Sequence, residues 1–205
     1  MAFLPKQAAD SCIRRANRLL DLAEQKLADS RVKNDLRRSA LVTAVTAIDS
    51  YMHALILKRA DKDKLPKSLE RLAVPLQDLM DLANSTVDAQ RHNRRSRPWV
   101  QVKSSLRKRL LRETFQTYDQ LGQALAMAGI ENGWAKVATE RGMTPAQIKD
   151  WLNTIIQKRN QIVHEGDITR AERPRRLKLN KIDHNKTRAT VTEIEALISA
   201  IDKIV

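Results

Sequence analysis

Residues 36–60 form a long stretch without glycine or proline, in which apolar side chains recur every three or four positions. This spacing places the apolar side chains on one face of an amphipathic helix. Residues 6–29 and several later segments show the same spacing. Only five glycines and six prolines interrupt the 205 residues, whereas a β-sandwich would need many more turn residues. The pattern predicts an all-α fold, and we expect a single helical domain over residues 1–205.

The periodicity predicts a bundle of about five to seven helices. The expected helices cover residues 6–29, 36–60, 65–83 (kinked or divided at Pro75), 98–127, 134–140, 145–164 and 192–205. Two intervening segments are mainly polar and basic. We interpret them as an exposed loop at 84–98 and a connector at 168–190.

Lysine and arginine number 38 against 24 acidic residues, which gives a formal net charge of +14. This excess favours RNA, DNA or an anionic membrane surface as a partner, although a merely soluble basic protein has the same composition. The single cysteine, Cys12, excludes an internal disulfide, and no Cys/His spacing predicts a metal or cofactor site. The N-terminal residues lack a signal-peptide pattern, and no window approaches a transmembrane span. We therefore expect a cytoplasmic protein without a membrane partner.

The segment 145–164 has clear start and stop signals. Thr144 can cap the helix, Pro145 suits its first position, and Gln147 completes a capping box. Gly166 predicts the end of the helix.

One face of this helix is an apolar stripe, on a wheel of about 100° per residue. The stripe contains Ile148, Trp151, Leu152, Ile155, Ile156, Ile162 and Val163. Arg159 falls in the middle of the stripe, and Asn160 and His164 lie beside it as an i,i+4 pair. A guanidinium inside an apolar face needs a partner or solvent. A buried carboxylate would satisfy Arg159, and so would a solvated cleft between two subunits.

These three polar side chains suit phosphodiester chemistry without a metal. Histidine titrates near neutrality, as proton transfer to or from an oxygen requires. Arginine can hold a phosphate in a bidentate fork and neutralise developing charge, and Asn160 can orient an oxygen. The alternative for His164 is a plain cation in the last turn of a helix.

The run Arg159-Asn160-Gln161-Ile162-Val163-His164, followed by Glu165-Gly166-Asp167, resembles the Arg-(four to six residues)-His motif of HEPN ribonucleases, in particular the RiboL-PSP-HEPN subgroup. The resemblance implies a helical bundle that dimerises, so that two motifs face each other across a cleft. It further implies metal-free RNA cleavage by the ribose 2′-hydroxyl, which leaves a 2′,3′-cyclic phosphate and a 5′-hydroxyl. His164 would be the acid/base residue, Arg159 the phosphate binder and Asn160 a positioning residue.

The same resemblance implies partners and supporting residues. Many relatives are toxins or defence proteins, for which an antitoxin or regulatory protein would be a partner, and some are inactive RNA binders. Family members often carry an acidic residue on an early helix, so Asp49 could orient His164 or pair with Arg159. Asp49 could equally form an i,i+4 pair with His53 on a solvated face. Asp167, directly after the motif, is a second supporting candidate.

A basic cluster is the expected RNA-tracking surface. It comprises Arg94, Arg95, Arg97, Arg107 and Lys108, with Trp99 placed to stack on a base. The alternative is an ordinary solvated loop and helix face, with Trp99 as its anchor.

The sequence thus supports three functions of different classes. The first is an endoribonuclease acting as a homodimer on RNA. The second is a non-catalytic RNA-binding or scaffold module, and the third is a helical interaction domain for a protein or membrane partner. The intact Arg159, Asn160 and His164 set favours the first.

Overall fold

The computed structural model describes residues 4–26, 29–61, 63–70, 72–93, 95, 97–169 and 178–205. Within this part of the chain, 76% of the residues are helical and no strand is present. A single isolated antiparallel bridge joins Ile168 and Leu179. The all-α class expected from the sequence is confirmed.

Nine helices lie within the described residues, more than the five to seven expected. They are α1 (Pro5–Glu24), α2 (Ser30–Arg59), α3 (Lys67–Glu70), α4 (Leu76–Arg91), α5 (Pro98–Leu110), α6 (Tyr118–Met127), α7 (Gly133–Arg141), α8 (Pro145–Glu165) and α9 (His184–Lys203). Pro75 divides the third expected helix into α3 and α4, as the sequence suggested.

The core lies between α1, α2 and α9, and α8 packs against α2. Small residues such as Ala9, Ala16 and Ala44 are fully buried where α1 meets α2, which allows the two backbones to approach closely. Tyr51 on α2 is also fully buried, and its hydroxyl donates to Asp202 at 2.9 Å. Burial, together with this carboxylate, raises the pKa of Tyr51 far above its ordinary value.

Two expected connections were partly wrong. Residues 84–91 of the expected basic loop belong to α4, because a polar stretch without glycine or proline continues a helix. Residues 184–190 of the expected connector belong to α9, which begins eight residues earlier than 192. Its start is fixed by Asp183, whose side chain accepts from the backbone N–H of Lys186 at 2.8 Å.

The single helix expected over 98–127 was also wrong, since it is interrupted between α5 and α6. The Asp49 carboxylate accepts a hydrogen bond from the backbone N–H of Phe115 at 2.6 Å. Thr117 and Gln120 then form a capping box that starts α6. The bond from Phe115 to Asp49 and the capping box at Thr117 therefore separate α5 from α6.

Helix α4 buries none of its side chains. Leu76, Leu79, Met80 and Val87 are 45–71% exposed. The helix packs along α5, where Asp78 lies 3.9 Å from Lys108. Helix α4 is therefore peripheral to the bundle, whereas α5 contributes Leu110 to the core.

One helix in the described part of the chain, α2, is long and apolar enough to cross a membrane by length and composition alone. The expectation that no window approaches a transmembrane span was wrong in that respect. However, 56% of its most apolar window is buried in the structure, where α1, α8 and α9 pack against it. Packing in the core accounts for the apolar character of α2.

Candidate active site

Helix α8 presents the motif, and its start and end are those expected from the sequence. The Thr144 hydroxyl accepts from the backbone N–H of Gln147 at 3.2 Å, and the Gln147 side chain accepts from the N–H of Thr144 at 2.8 Å. Gly166 ends the helix with a φ of 62°, in the left-handed region that glycine adopts readily. Both capping predictions are confirmed.

The apolar stripe of α8 is buried only in its first part. Ile148, Leu152, Ile155 and Ile156 lie in the core. Ile162 is only partly buried, and Val163 is 45% exposed. The last turns of α8 therefore emerge from the bundle, and the motif lies on the emerging part.

Arg159 is half-buried, whereas Asn160 and His164 are exposed. The Arg159 guanidinium donates to the Asn160 side-chain oxygen at 3.0 Å. No carboxylate in the described part of the chain pairs with Arg159. The apolar stripe reaches the surface before Arg159, and no described carboxylate satisfies the guanidinium, so of the two expected partners the buried carboxylate is absent from the described residues.

Asp167, three residues beyond His164, is the most buried charged residue near the motif. It is fully buried and has a φ of 56°. Its carboxylate accepts hydrogen bonds from Arg38 Nε at 2.7 Å, from Lys158 Nζ at 2.7 Å and from Asn180 Nδ2 at 3.0 Å. Its backbone N–H donates to the carbonyl of Gln161 at 2.8 Å. These bonds connect the end of α8 with α2 and with residues 178–180.

The electrostatics of Asp167 favour its charged form. Burial alone would raise the pKa of the Asp167 carboxyl, but the hydrogen bonds from Lys158, Arg38 and Asn180 outweigh burial and lower its pKa below 3.8. Lys158 immediately precedes Arg159. The bond from Lys158 to Asp167 therefore ties the start of the motif to the turn after α8.

Sequence reasoning missed Arg38, Lys158 and Asn180 as neighbours of the motif. Arg38 was detectable, because it lies close to the apolar stripe of α2 that contains Leu41 and Val45. The structure buries Arg38 and satisfies it with Asp167, Asp35 and the carbonyl of Asn180.

Asp49 is not brought to the motif. Its carboxylate accepts from the N–H of Phe115 and lies 3.6 Å from His53 Nε2. No hydrogen bond or ion pair joins it to Arg159 or His164, all of which are described residues. The structure therefore contains the alternative pair of Asp49 with His53, and Asp49 also contacts Phe115.

The expected RNA-tracking residues lie on the α4–α5 hairpin, apart from Arg94, which falls outside the described residues. Arg95, Arg97, Arg107 and Lys108 are exposed. Trp99 is half-buried, and Lys103 Nζ lies 5.9 Å from the centroid of its ring. No described contact joins these side chains to Arg159, Asn160 or His164.

Among the described residues, no three His, Cys, Asp or Glu side chains come together in a group that could hold a metal ion.

A helical bundle with Arg-Asn-x-x-x-His at the emerging end of a late helix has the architecture of a HEPN domain. The RiboL-PSP-HEPN family model matches residues 10–205, and the chain belongs to this family. Comparison with curated proteins and with solved structures gives no match. HEPN proteins are commonly nucleases, and membership indicates an RNase or RNA-related function.

Proposed function

We propose that the protein is a metal-independent endoribonuclease with Arg159, Asn160 and His164 as its catalytic residues. The 2′-oxygen of a ribose attacks the adjacent phosphorus, and the bond from phosphorus to the 5′-oxygen breaks. The products are a 2′,3′-cyclic phosphate and a 5′-hydroxyl. The observation that carries the proposal is the solvent-facing Arg159–Asn160 pair, which shares the emerging end of α8 with His164 and has no carboxylate partner among the described residues.

The proton balance of this reaction requires a base and an acid. The 2′-hydroxyl loses a proton as it attacks, and the leaving 5′-oxygen gains one. His164 supplies an imidazole that can accept or donate the proton. The Arg159 guanidinium balances the charge that develops on the phosphate oxygens, and Asn160 holds Arg159 in place through their hydrogen bond. One histidine serves one proton transfer at a time, so a second motif would supply the other.

We propose that the second motif comes from a second copy of the chain, in a two-fold dimer. Exposed apolar side chains beside the motif support this arrangement. Val163 is 45% exposed on α8, and the bridged pair Ile168 and Leu179 is 41% and 44% exposed just beyond it. An apolar surface next to a half-buried arginine suits a subunit interface with a polar centre.

Incubation with total RNA in EDTA, followed by analysis of the fragment ends, tests the activity. We expect cleavage in EDTA and 2′,3′-cyclic phosphate termini, and we expect RNA with 2′-methoxy groups to resist. His164→Ala should lower the cleavage rate by roughly 10² or more, as for loss of acid–base catalysis. His92→Ala is the matched control, because His92 is an exposed histidine at the end of α4. If the folded His164→Ala dimer cleaves at the parental rate, His164 is not the catalytic residue; if the parental protein does not cleave RNA, a non-catalytic RNA-binding module is the better assignment.

An active ribonuclease damages the RNA of its own cell, so the proposal includes a role as a cytoplasmic toxin or defence effector restrained by a regulatory protein. Expression of the parental chain should arrest growth, and expression of the His164→Ala chain at the same level should not. Equal toxicity of the parental and His164→Ala chains would show that growth arrest does not depend on RNA cleavage by His164.

A further inference from the structure

Basic side chains from two other elements lie near the turn that follows α8. The segment 178–182 lies against Asp167, because the backbone N–H of Asn180 donates to the Asp167 carbonyl at 2.8 Å. The same segment lies against α2, where Arg38 Nη2 donates to the Asn180 carbonyl at 2.7 Å and Arg37 Nη1 to the Ile182 carbonyl at 3.5 Å. Lys178 and Lys181 project from this segment and are exposed.

Arg31 extends the same basic surface along α2. It precedes Arg38 by seven residues, about two helical turns, and so lies on the same face of the helix. It is exposed. Arg31, Arg37, Lys178 and Lys181 together are called the basic rim below.

No carboxylate in the described part of the chain neutralises the basic rim. Within the described residues, Arg31, Lys178 and Lys181 form no ion pair. Arg37 donates only to neutral oxygens, and its Nε is buried without a partner.

Three neighbouring carboxylates already have partners. Asp167 holds Arg38 and Lys158, Asp35 pairs with Arg38 at 3.1 Å, and Asp183 caps α9. The cations of the basic rim therefore remain available for an anionic ligand.

The cluster expected from the sequence on α5 is less suitable. Of its described cations, Lys108 lies 3.9 Å from Asp78. The end of α5 meets α2 through the bond between Asp49 and Phe115. Asp49 follows Arg38 by eleven residues, which is about 16 Å along the helix axis. The segment that follows α5 therefore meets α2 about 16 Å along the helix axis from Arg38, which contacts Asp167 beside the motif.

We propose that the basic rim is the RNA-binding surface of this protein and holds the backbone phosphates on either side of the scissile bond. The proposal rests on the endoribonuclease function proposed above. Lysine and arginine that contact phosphates release counterions, so affinity falls as salt rises, with a slope of about −0.7 per contact for a single strand. Loss of three such contacts should reduce the slope by about 2.

The test uses the full-length His164→Ala protein, so that binding is measured without cleavage. The probe is a fluorescein-labelled single-stranded RNA of mixed sequence, titrated at several salt concentrations. The variant carries Arg31→Ala, Lys178→Ala and Lys181→Ala, all at exposed positions. Arg37 is left intact because it bonds to the backbone of Ile182.

The matched control carries Lys6→Ala, Lys58→Ala and Lys203→Ala, with the same change in charge. These exposed lysines lie toward the opposite end of α2, where Tyr51 meets Asp202. We expect the rim variant to bind at least tenfold more weakly with a flatter salt slope, and the control to change binding by less than about threefold.

An equal loss of RNA affinity in the rim variant and the control would show that only the net charge of the protein matters, and would overturn the proposal. A triple variant of Arg95, Arg97 and Arg107 that loses more binding than the rim variant would also overturn it, in favour of α5. Binding is read without catalysis, so failure of the endoribonuclease proposal appears separately, as the absence of RNA cleavage by the parental protein.

Discussion

Arg38 and Asp167 are 129 residues apart in sequence, and their side chains meet in the interior with 2.7 Å between Arg38 Nε and Asp167 Oδ2. The same carboxylate holds Lys158, which directly precedes Arg159. The position of the motif on the end of α8 therefore depends on a pairing between α2 and the turn after α8.

The first prediction concerns the loss of this pairing. Asp167→Ala leaves Arg38 and Lys158 without their carboxylate in a buried site, and removal of one partner of a buried ion pair costs about 3–5 kcal/mol. Urea unfolding followed by circular dichroism measures the change in the free energy of unfolding. Asp35→Ala is the control, because the Asp35 side chain is 69% exposed and pairs with the same arginine. Equal effects of the two variants would contradict a special role for Asp167.

The second prediction concerns the pH dependence of stability. The pKa of Asp167 is lower in the folded protein than its ordinary value of 3.8. The unfolded chain therefore binds the proton more readily, and the stabilising effect is present above about pH 4 and is lost as the pH falls through the folded pKa. The difference in unfolding free energy between the parental protein and Asp167→Asn should shrink between pH 5 and about pH 2. A difference that grows as the pH falls would contradict a lowered pKa of Asp167 in the folded protein.

The third prediction separates catalysis from stability at Arg159. The guanidinium bonds only to Asn160 among the described residues, so Arg159→Ala leaves no buried carboxylate unpaired. We expect its melting temperature to stay close to the parental value and RNA cleavage to be lost. Arg159→Lys keeps the charge but not the bidentate fork, so it should restore little of the rate. Full activity of Arg159→Lys would indicate a purely electrostatic role.

The fourth prediction concerns assembly. Light scattering at tens of micromolar should show a dimer for the parental protein. Val163→Glu places a charge in the apolar surface beside the motif and should shift the protein toward the monomer, with a parallel loss of cleavage. Leu111→Glu is the control, since Leu111 is 74% exposed at the end of α5. A parental monomer at this concentration would contradict a site composed of two motifs.

Short-range sequence patterns were sufficient to predict much of the fold and the helix that carries the motif. The capping box of Thr144 and Gln147 and the left-handed Gly166 are short-range patterns, and they placed α8 correctly. The motif residues followed from their order along that helix.

Long-range pairing could not be predicted in the same way. The contacts of Asp167 with Arg38 and of Asp49 with Phe115 join residues that no periodicity relates. The polar composition of 84–91 also misled the prediction, because exposed helices and exposed loops use the same residues.

Helix α4, with all of its side chains at least partly exposed, has a consequence for local unfolding. Opening this helix would expose little additional apolar surface, so its backbone amides should exchange with deuterium through a local fluctuation of low free energy. The amides of α2 and α9, which carry the core, should exchange only when the whole domain unfolds. A sequence inserted between α4 and α5 should therefore leave the melting of the remaining bundle nearly unchanged, provided that α5 keeps Leu110, which is 1% exposed, in the core.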